Sequence, residues 1–201
     1  MRWEKRAFDF IFSALGLFVL FPAFFIIALM IKIEDGGPVL FIQKRIGYRG
    51  RPFFMYKFRT MVVDAEKKGN LLTVGGDPRI TKSGRLLRKF KLDELPQLIN
   101  VLKGEMSLVG PRPEVEKYVN LYTNEQREVL NLYPGITDPA SIEYVNESEL
   151  LAQSTDPEKL YIEKIMPEKI RLNLEYAREA SCWADSLVIA KTLARIIKVL
   201  S

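Results

Sequence analysis

At 201 residues the chain is long enough to bury one core, and a composition of 48% hydrophobic and 27% charged residues is that of a folded protein. It has no histidine and one cysteine, Cys182, which excludes His-based triads and proton shuttles, Cys/His zinc clusters and an internal disulfide. The net charge of +5 divides unevenly, with +10 on residues 1–112 and −5 on residues 113–201, so the first half suits an anionic partner such as a phosphorylated substrate, an acidic lipid or a nucleic acid.

The first element is one long apolar segment, Ala7–Ile33, interrupted by Asp9, Ser13 and Lys32. As a helix it measures about 40 Å at about 1.5 Å per residue, enough to enter or cross a bilayer. Arg2, Lys5 and Arg6 flank one end and Lys32, Lys44 and Arg45 the other. Cations on both sides favour placing both ends on the cytoplasmic face, and Pro22 near the middle supplies a break. A re-entrant membrane helix over residues 1–35 fits both features; a kinked single span is the rival.

After the turn Glu34-Asp35-Gly36-Gly37-Pro38, the residues Val39–Gln43 and Phe53–Met61 read as two strands of a small β-hairpin with a long loop, Gly47–Pro52. In the second strand Phe54, Tyr56 and Phe58 alternate with Lys57 and Arg59, a pair of cations on one face that suits a phosphate. A solvated outer face is the plainer reading. Polar loop signals follow at Gly69-Asn70 and Gly75-Gly76-Asp77-Pro78. Ser83 is placed to cap a basic amphipathic helix, Arg85–Phe90, of a kind that lies at a membrane surface.

The stretch Lys91-Leu92-Asp93-Glu94-Leu95-Pro96-Gln97-Leu98 then sets two adjacent carboxylates behind Arg85, Arg88, Lys89 and Lys91 and at the start of a helix that Gly104 ends. Asp93 reads equally as a helix cap and as part of a site. Beyond it, Arg112 stands between Pro111 and Pro113, a rigid setting for a guanidinium that grips phosphate. Residues 157–180 read as helical, with Pro167 breaking or kinking the run, and their acidic surplus as a solvated face. Asp185–Ser201 is amphipathic, with Lys191, Arg195 and Lys198 to one side, which suits a membrane surface, a core or a homodimer contact.

Five elements in this order resemble the bacterial sugar transferases known as monotopic phosphoglycosyl transferases: the Pro-interrupted anchor; Gly37-Pro38-Val39 with Gln43-Lys44-Arg45-Ile46-Gly47; Tyr56-Lys57-Phe58-Arg59-Thr60-Met61; Leu92-Asp93-Glu94-Leu95-Pro96-Gln97; and Gly104 through Pro113. Tyr133-Pro134-Gly135-Ile136-Thr137 extends the match, and the sequence departs from it after Ile136, where relatives carry a glycine-rich loop and this chain reads Thr137-Asp138-Pro139-Ala140-Ser141.

The resemblance implies a mainly helical α+β fold: a membrane anchor, residues 1–35, and a cytoplasmic catalytic domain, residues 36–201, on the inner membrane, with interfacial helices around an Asp-Glu site. It implies transfer of a phospho-sugar from a nucleotide diphosphate sugar, usually a uridine one, to a polyprenol phosphate at the first membrane step of glycoconjugate assembly. Asp93 would attack the phosphorus next to the sugar and Glu94 would take the acceptor's proton. Arg88 and Arg112 would neutralise phosphates, joined on the strand argument by Lys57 and Arg59. Mg2+ on the diphosphate would lie close to Asp93. A silent lipid- or nucleotide-sugar-binding scaffold is the alternative, against which the intact Asp93, Glu94 and Arg112 argue. Nucleic acid is not an expected partner, since no recognition module is present.

Overall fold

The computed structural model describes residues 1–65 and 72–198. The Gly69-Asn70 loop signal and the last three residues of the amphipathic Asp185–Ser201 stretch lie outside the described residues. The fold is mainly helical with two small two-stranded sheets.

Helix α1, Trp3–Asp35, starts four residues before the apolar run and ends where Gly36 turns left-handed at φ 70°, its N–H bonded to the Lys32 carbonyl. Pro22 lies inside it, on the exposed side. One face carries the buried residues Asp9, Ser13, Ile27 and Ile31, at helical spacing, while Phe18, Phe21 and Phe25 remain in the open.

Both ends of α1 dock on the same body. At its start Arg6 donates to the carbonyls of Val101 and Leu102 at 2.6 and 2.8 Å, Asp9 accepts from the Leu108 N–H at 3.1 Å, and Lys5 pairs with Asp185. At its end Asp35 pairs with Arg59, and Glu34 accepts from the N–H groups of Lys82 and Ser83 at 2.8 and 3.1 Å. Those two N–H groups belong to the first turn of helix α2, Lys82–Lys89, which has no intrahelical acceptor for them. Thr81, not Ser83, is the N-cap of α2, accepting from the Gly84 N–H at 3.0 Å; Ser83 sits inside the helix, where its hydroxyl bonds Glu34. Leu87 is buried with Ile27, Ile31 and Phe58, and Leu86 faces outward.

Strands β1, Leu40–Ile46, and β2, Pro52–Phe58, pair antiparallel from Leu40↔Phe58 to Ile46↔Pro52 around a short loop. The aromatic alternation on β2 does not give one uniform face: Phe58 is buried under α1 and α2, whereas Phe54, beyond their reach, is exposed. Helix α3, Gln97–Lys103, is tied to β2 by Asn100, whose side chain accepts from the Tyr56 N–H at 3.1 Å and donates to the Phe54 carbonyl at 2.7 Å. This satisfies the backbone of an edge strand that would otherwise be open.

Strands β3, Ser107–Val109, and β4, Gly135–Thr137, form a parallel pair that three-residue runs do not announce in the sequence. Where they meet, Gly110 and Gly135 cross backbone to backbone: a Cβ on Gly135 would lie 2.1 Å from the Gly110 nitrogen, and one on Gly110 2.2 Å from the Tyr133 carbonyl oxygen. The Gly135 N–H also bonds the Pro111 carbonyl at 3.0 Å, which fixes the loop that presents Arg112; its two X-Pro bonds are trans.

The second half wraps one core cluster around Ile46, Tyr118, Val129, Tyr161, Ile165 and Ile170. It comprises α4, Glu116–Val119; α5, Pro139–Glu143; α6, Glu147–Ala152; α7, Pro157–Leu160; and α8, Met166–Arg178. Pro167 does not break the run: it lies in the first turn of α8, directly behind a π turn at Tyr161–Ile165. Helix α9, Cys182–Lys198, packs through Asp185 and Val188 and leaves Trp183, Leu187 and Leu193 outward.

Gly135→Ala should destabilise the fold by about 2 kcal/mol or more through overpacking at this backbone crossing. Chemical denaturation should show it, whereas Gly50→Ala, in open space at φ 71°, should cost about 1 kcal/mol from strain alone.

Candidate active site

The chain leaves α2 at Lys89 and reverses at Lys91, which adopts a left-handed conformation at φ 55°. A 3-10 turn, Leu92–Glu94, follows, held at both ends by Leu92 and Leu95 packed on the cluster of Ile27, Phe58 and Leu87. Helix α3 begins only after Pro96, so Asp93 caps no helix. Both carboxylates are nevertheless buried, Asp93 at 7% and Glu94 at 9% exposure.

Their surroundings differ sharply. Glu94 is held by the Arg112 fork, with Nη1 donating to Oε2 at 3.0 Å and Nη2 to Oε1, and by Lys57 Nζ at 3.3 Å. Asp93 Oδ1 is buried with no hydrogen-bond partner among the described residues. Burial alone would raise the Glu94 pKa, but the charges of Arg112 and Lys57 and the Arg112 hydrogen bonds hold it well below the usual range. Burial and then the neighbouring Glu94 charge push Asp93 the other way, against Lys57, Arg88 and Lys91. Two adjacent carboxylates are thus driven apart, one fixed as an anion and one left uncompensated.

The two cations on Glu94 also diverge. Arg112 is raised, chiefly by the Glu94 charge, whereas Lys57 falls to about 8 because burial outweighs its one long contact. A bidentate fork recovers more of the desolvation cost than a single ammonium bond.

Of the other expected cations, Arg88 lies close enough for its charge to act on Asp93, and its Nε donates to Thr60 Oγ1 at 2.8 Å. Arg59 is turned elsewhere. Its guanidinium grips Asp35 and donates to the carbonyls of Pro38 at 2.6 Å and Met61 at 3.1 Å, so it clamps the end of α1 instead of joining Lys57 at the dyad. The alternation argument fails there because β2 ends at Phe58. Arg45 was not among the expected site residues, yet it is buried within the field of Glu94 and Arg112, bonded to Gln43 and to the Pro113 carbonyl at 3.1 Å. Its place in the Gln43-Lys44-Arg45 motif was the available signal.

Because the folded state holds Asp93 at a raised pKa, its ionised form opposes folding above that pKa, and the cost vanishes below the ordinary value of 3.8. Asp93→Asn should therefore raise the thermal midpoint at pH 7, and the gain should shrink as the pH falls towards 3.8. Glu94→Gln should lower the midpoint at pH 7, since it leaves Arg112 and Lys57 buried without their anion.

The family model described as bacterial sugar transferase matches residues 1–199. Over 194 residues the chain is 34% identical to the UDP-N-acetylgalactosamine-undecaprenyl-phosphate N-acetylgalactosaminephosphotransferase of Aeromonas hydrophila, covering 96% of this chain and 43% of that protein. It is 38% identical over 201 residues to the UDP-glucose:undecaprenyl-phosphate glucose-1-phosphate transferase of Escherichia coli, covering 96% and 40%. It is 32% identical over 210 residues to the exopolysaccharide production protein ExoY of Rhizobium meliloti, covering 96% and 84%. The chain thus spans less than half of the first two relatives and most of the third. The match over nearly its whole length, with the dyad and its cations inside the matched region, makes the chain a member of the bacterial sugar transferase family.

Proposed function

We propose that the protein transfers a sugar phosphate from a uridine diphosphate sugar to a polyprenol phosphate, in two displacements at Asp93. The observation that carries this is the buried, unpartnered Asp93 carboxylate beside a Glu94 locked by two cations. A carboxylate without hydrogen bonds is a stronger nucleophile than one that accepts them, and Arg88, Lys57 and Arg112 offset its repulsion by an anionic diphosphate. The relatives' names supply the substrates: undecaprenyl phosphate in both transferases, with UDP sugars as donors.

In the first step an Asp93 oxygen attacks the phosphorus next to the sugar, the bond from that phosphorus to the bridging oxygen breaks, and uridine monophosphate leaves with the electron pair. In the second, an oxygen of the polyprenol phosphate attacks the same phosphorus, the bond to Asp93 breaks, and the free carboxylate returns. Glu94 is a poor base while Arg112 and Lys57 hold its pKa down. Donor phosphates that draw those cations away raise its proton affinity, so substrate itself readies Glu94 to take a proton from the acceptor.

Among the described residues no cluster of three or more acidic, His or Cys side chains gathers. Mg2+ needs no such cluster, since it binds through one or two carboxylates together with substrate phosphates. The free Asp93 oxygen fits as its protein ligand, and when bound the ion would withdraw charge from the diphosphate.

Residues 1–35 form the membrane anchor in this reading, and the docking of α1 supports it. The contact of both ends of α1 with one body supports the reading that both lie on one side of the membrane, with residues 1–35 as a re-entrant anchor and residues 36–201 as the catalytic body. The exposed Phe18, Phe21 and Phe25 face the lipid. With Cys182 replaced by Ser, Arg2→Cys and Arg51→Cys should label from the cytoplasmic face only; labelling of Arg2→Cys from outside would establish a span.

Purified protein should release uridine monophosphate from a UDP sugar when undecaprenyl phosphate is supplied, and Asp93→Asn should reduce turnover on the order of 10³-fold. An Asp93→Asn variant with near-native turnover would end the proposal.

A further inference from the structure

Arg112 stands between two prolines, neither of which has an N–H, so the backbone handles on either side of it are carbonyls. Both are taken. The Pro111 carbonyl accepts from the Gly135 N–H at 3.0 Å, and the Pro113 carbonyl accepts from Arg45 Nη1 at 3.1 Å. Pro113 is buried, which makes the partner of its carbonyl costly to lose. The next residue closes the loop on the same strand, the Glu114 carbonyl accepting from the Ile46 N–H at 2.8 Å.

Arg45 reaches that carbonyl from the inner face of the hairpin. In the β1–β2 register Phe41 pairs with Lys57, Gln43 with Met55 and Arg45 with Phe53, so Gln43 and Arg45 share a face with the lysine that bonds Glu94. The Arg45 side chain is only 17% exposed. Its hydrogen bonds among the described residues go to neutral oxygens: Nε and Nη2 to Gln43 Oε1 at 2.9 and 2.6 Å, and Nη1 to Pro113. Its ion pair with Glu114 is long, at 3.8 Å, and that carboxylate is also held by the Val115 N–H at 3.1 Å and by the Tyr161 hydroxyl. An apolar side chain would serve packing alone at less cost, since a guanidinium must be desolvated here. Setting three donors on two separate chain segments is what a planar fork does and a point ammonium does not.

We propose that Arg45 is a positioning residue of the site. By clamping the Pro113 carbonyl to Gln43 it fixes the backbone from which the Arg112 fork meets Glu94. Through Glu114 and Tyr161 it ties the same loop to the core of the second half. Its action passes through Arg112, the residue that bonds the dyad. Donor phosphates that draw the Arg112 guanidinium from Glu94 then move a side chain on a held backbone, and the fork returns when product leaves. This inference rests on the transferase reading above and adds a residue to that site.

Stability and turnover test the two readings separately, in full-length protein held in lipid nanodiscs. Arg45→Lys keeps the charge and loses the fork. Glu94→Gln should lower the thermal midpoint of the otherwise native chain, and by less than about half as much in the Arg45→Lys background, where Arg112 no longer meets Glu94 in register. Gln43→Leu, which alters no charge, should shrink the drop in the same way and serves where Arg45→Lys does not fold. An undiminished drop in either folded variant overturns the assignment. In turnover, Arg45→Lys should reduce kcat/KM for uridine monophosphate release about tenfold or more, but less than about twofold in an Arg112→Met background. Equal factors in both backgrounds would make Arg45 an independent structural residue and overturn the assignment as well. Absence of release from the unaltered protein sinks the transferase reading alone, since the midpoints still report whether Arg45 sets the Glu94–Arg112 pair.

Discussion

The site depends on the ion pair between Glu94 and Arg112, made bidentate and reinforced by Lys57. All three groups are largely removed from water, where an isolated charge is prohibitive and a fork-to-carboxylate pair is the most effective compensation. Removing either partner of such a pair costs about 3–5 kcal/mol, because the survivor stays buried and charged. The pair also spans three parts of the fold: the 3-10 turn with the dyad, strand β2, and the loop fixed where Gly110 crosses Gly135. Its geometry therefore reports on the assembly of the whole site. It also explains Asp93. With Arg112 and Lys57 bonded to Glu94, the adjacent carboxylate is buried beside a negative charge and its Oδ1 lacks a hydrogen bond among the described residues, a costly arrangement and the one from which the proposed nucleophile is argued.

Helix α1 is more than a hydrophobic attachment. Its own charged residues complete the helices that carry the site: Glu34 takes the free N–H groups at the start of α2, and Arg6 donates to the Val101 and Leu102 carbonyls at the end of α3. Each contact has the favourable sign for the helix end it meets. Between them the helix buries one stripe on the body and shows aromatic residues outward. The position of the dyad is thereby coupled to that of α1.

Much of this was legible in the sequence because it is local. Helix α1 declares itself by an apolar run, the hairpin by alternation around a glycine turn, the end of α3 by Gly104, and the adjacent carboxylates by their basic neighbours and their place among the family motifs. What escaped depends on contacts between distant residues. No local signal pairs Arg59 with Asp35, so strand alternation alone points this cation at phosphate, whereas in the fold it closes the end of α1. Thr81 and Ser83 are equivalent caps by type, and only Glu34, 49 positions from Ser83, decides between them. The β3–β4 pair is too short to show a period, yet the glycine crossing at its end aims Arg112. The motif placed Asp93 and Glu94 side by side, but only the fold distributes the cations so unequally between them.

The account stands on Asp93, and not Glu94, as the group that receives the sugar phosphate. Intact-mass and peptide mass spectrometry of protein quenched after mixing with a UDP sugar, without polyprenol phosphate, tests this directly. The predicted result is one added phospho-sugar per chain, on the peptide containing Asp93, absent in Asp93→Asn and present in Glu94→Gln. An adduct that survives Asp93→Asn, or turnover with no adduct under any quench, would contradict it.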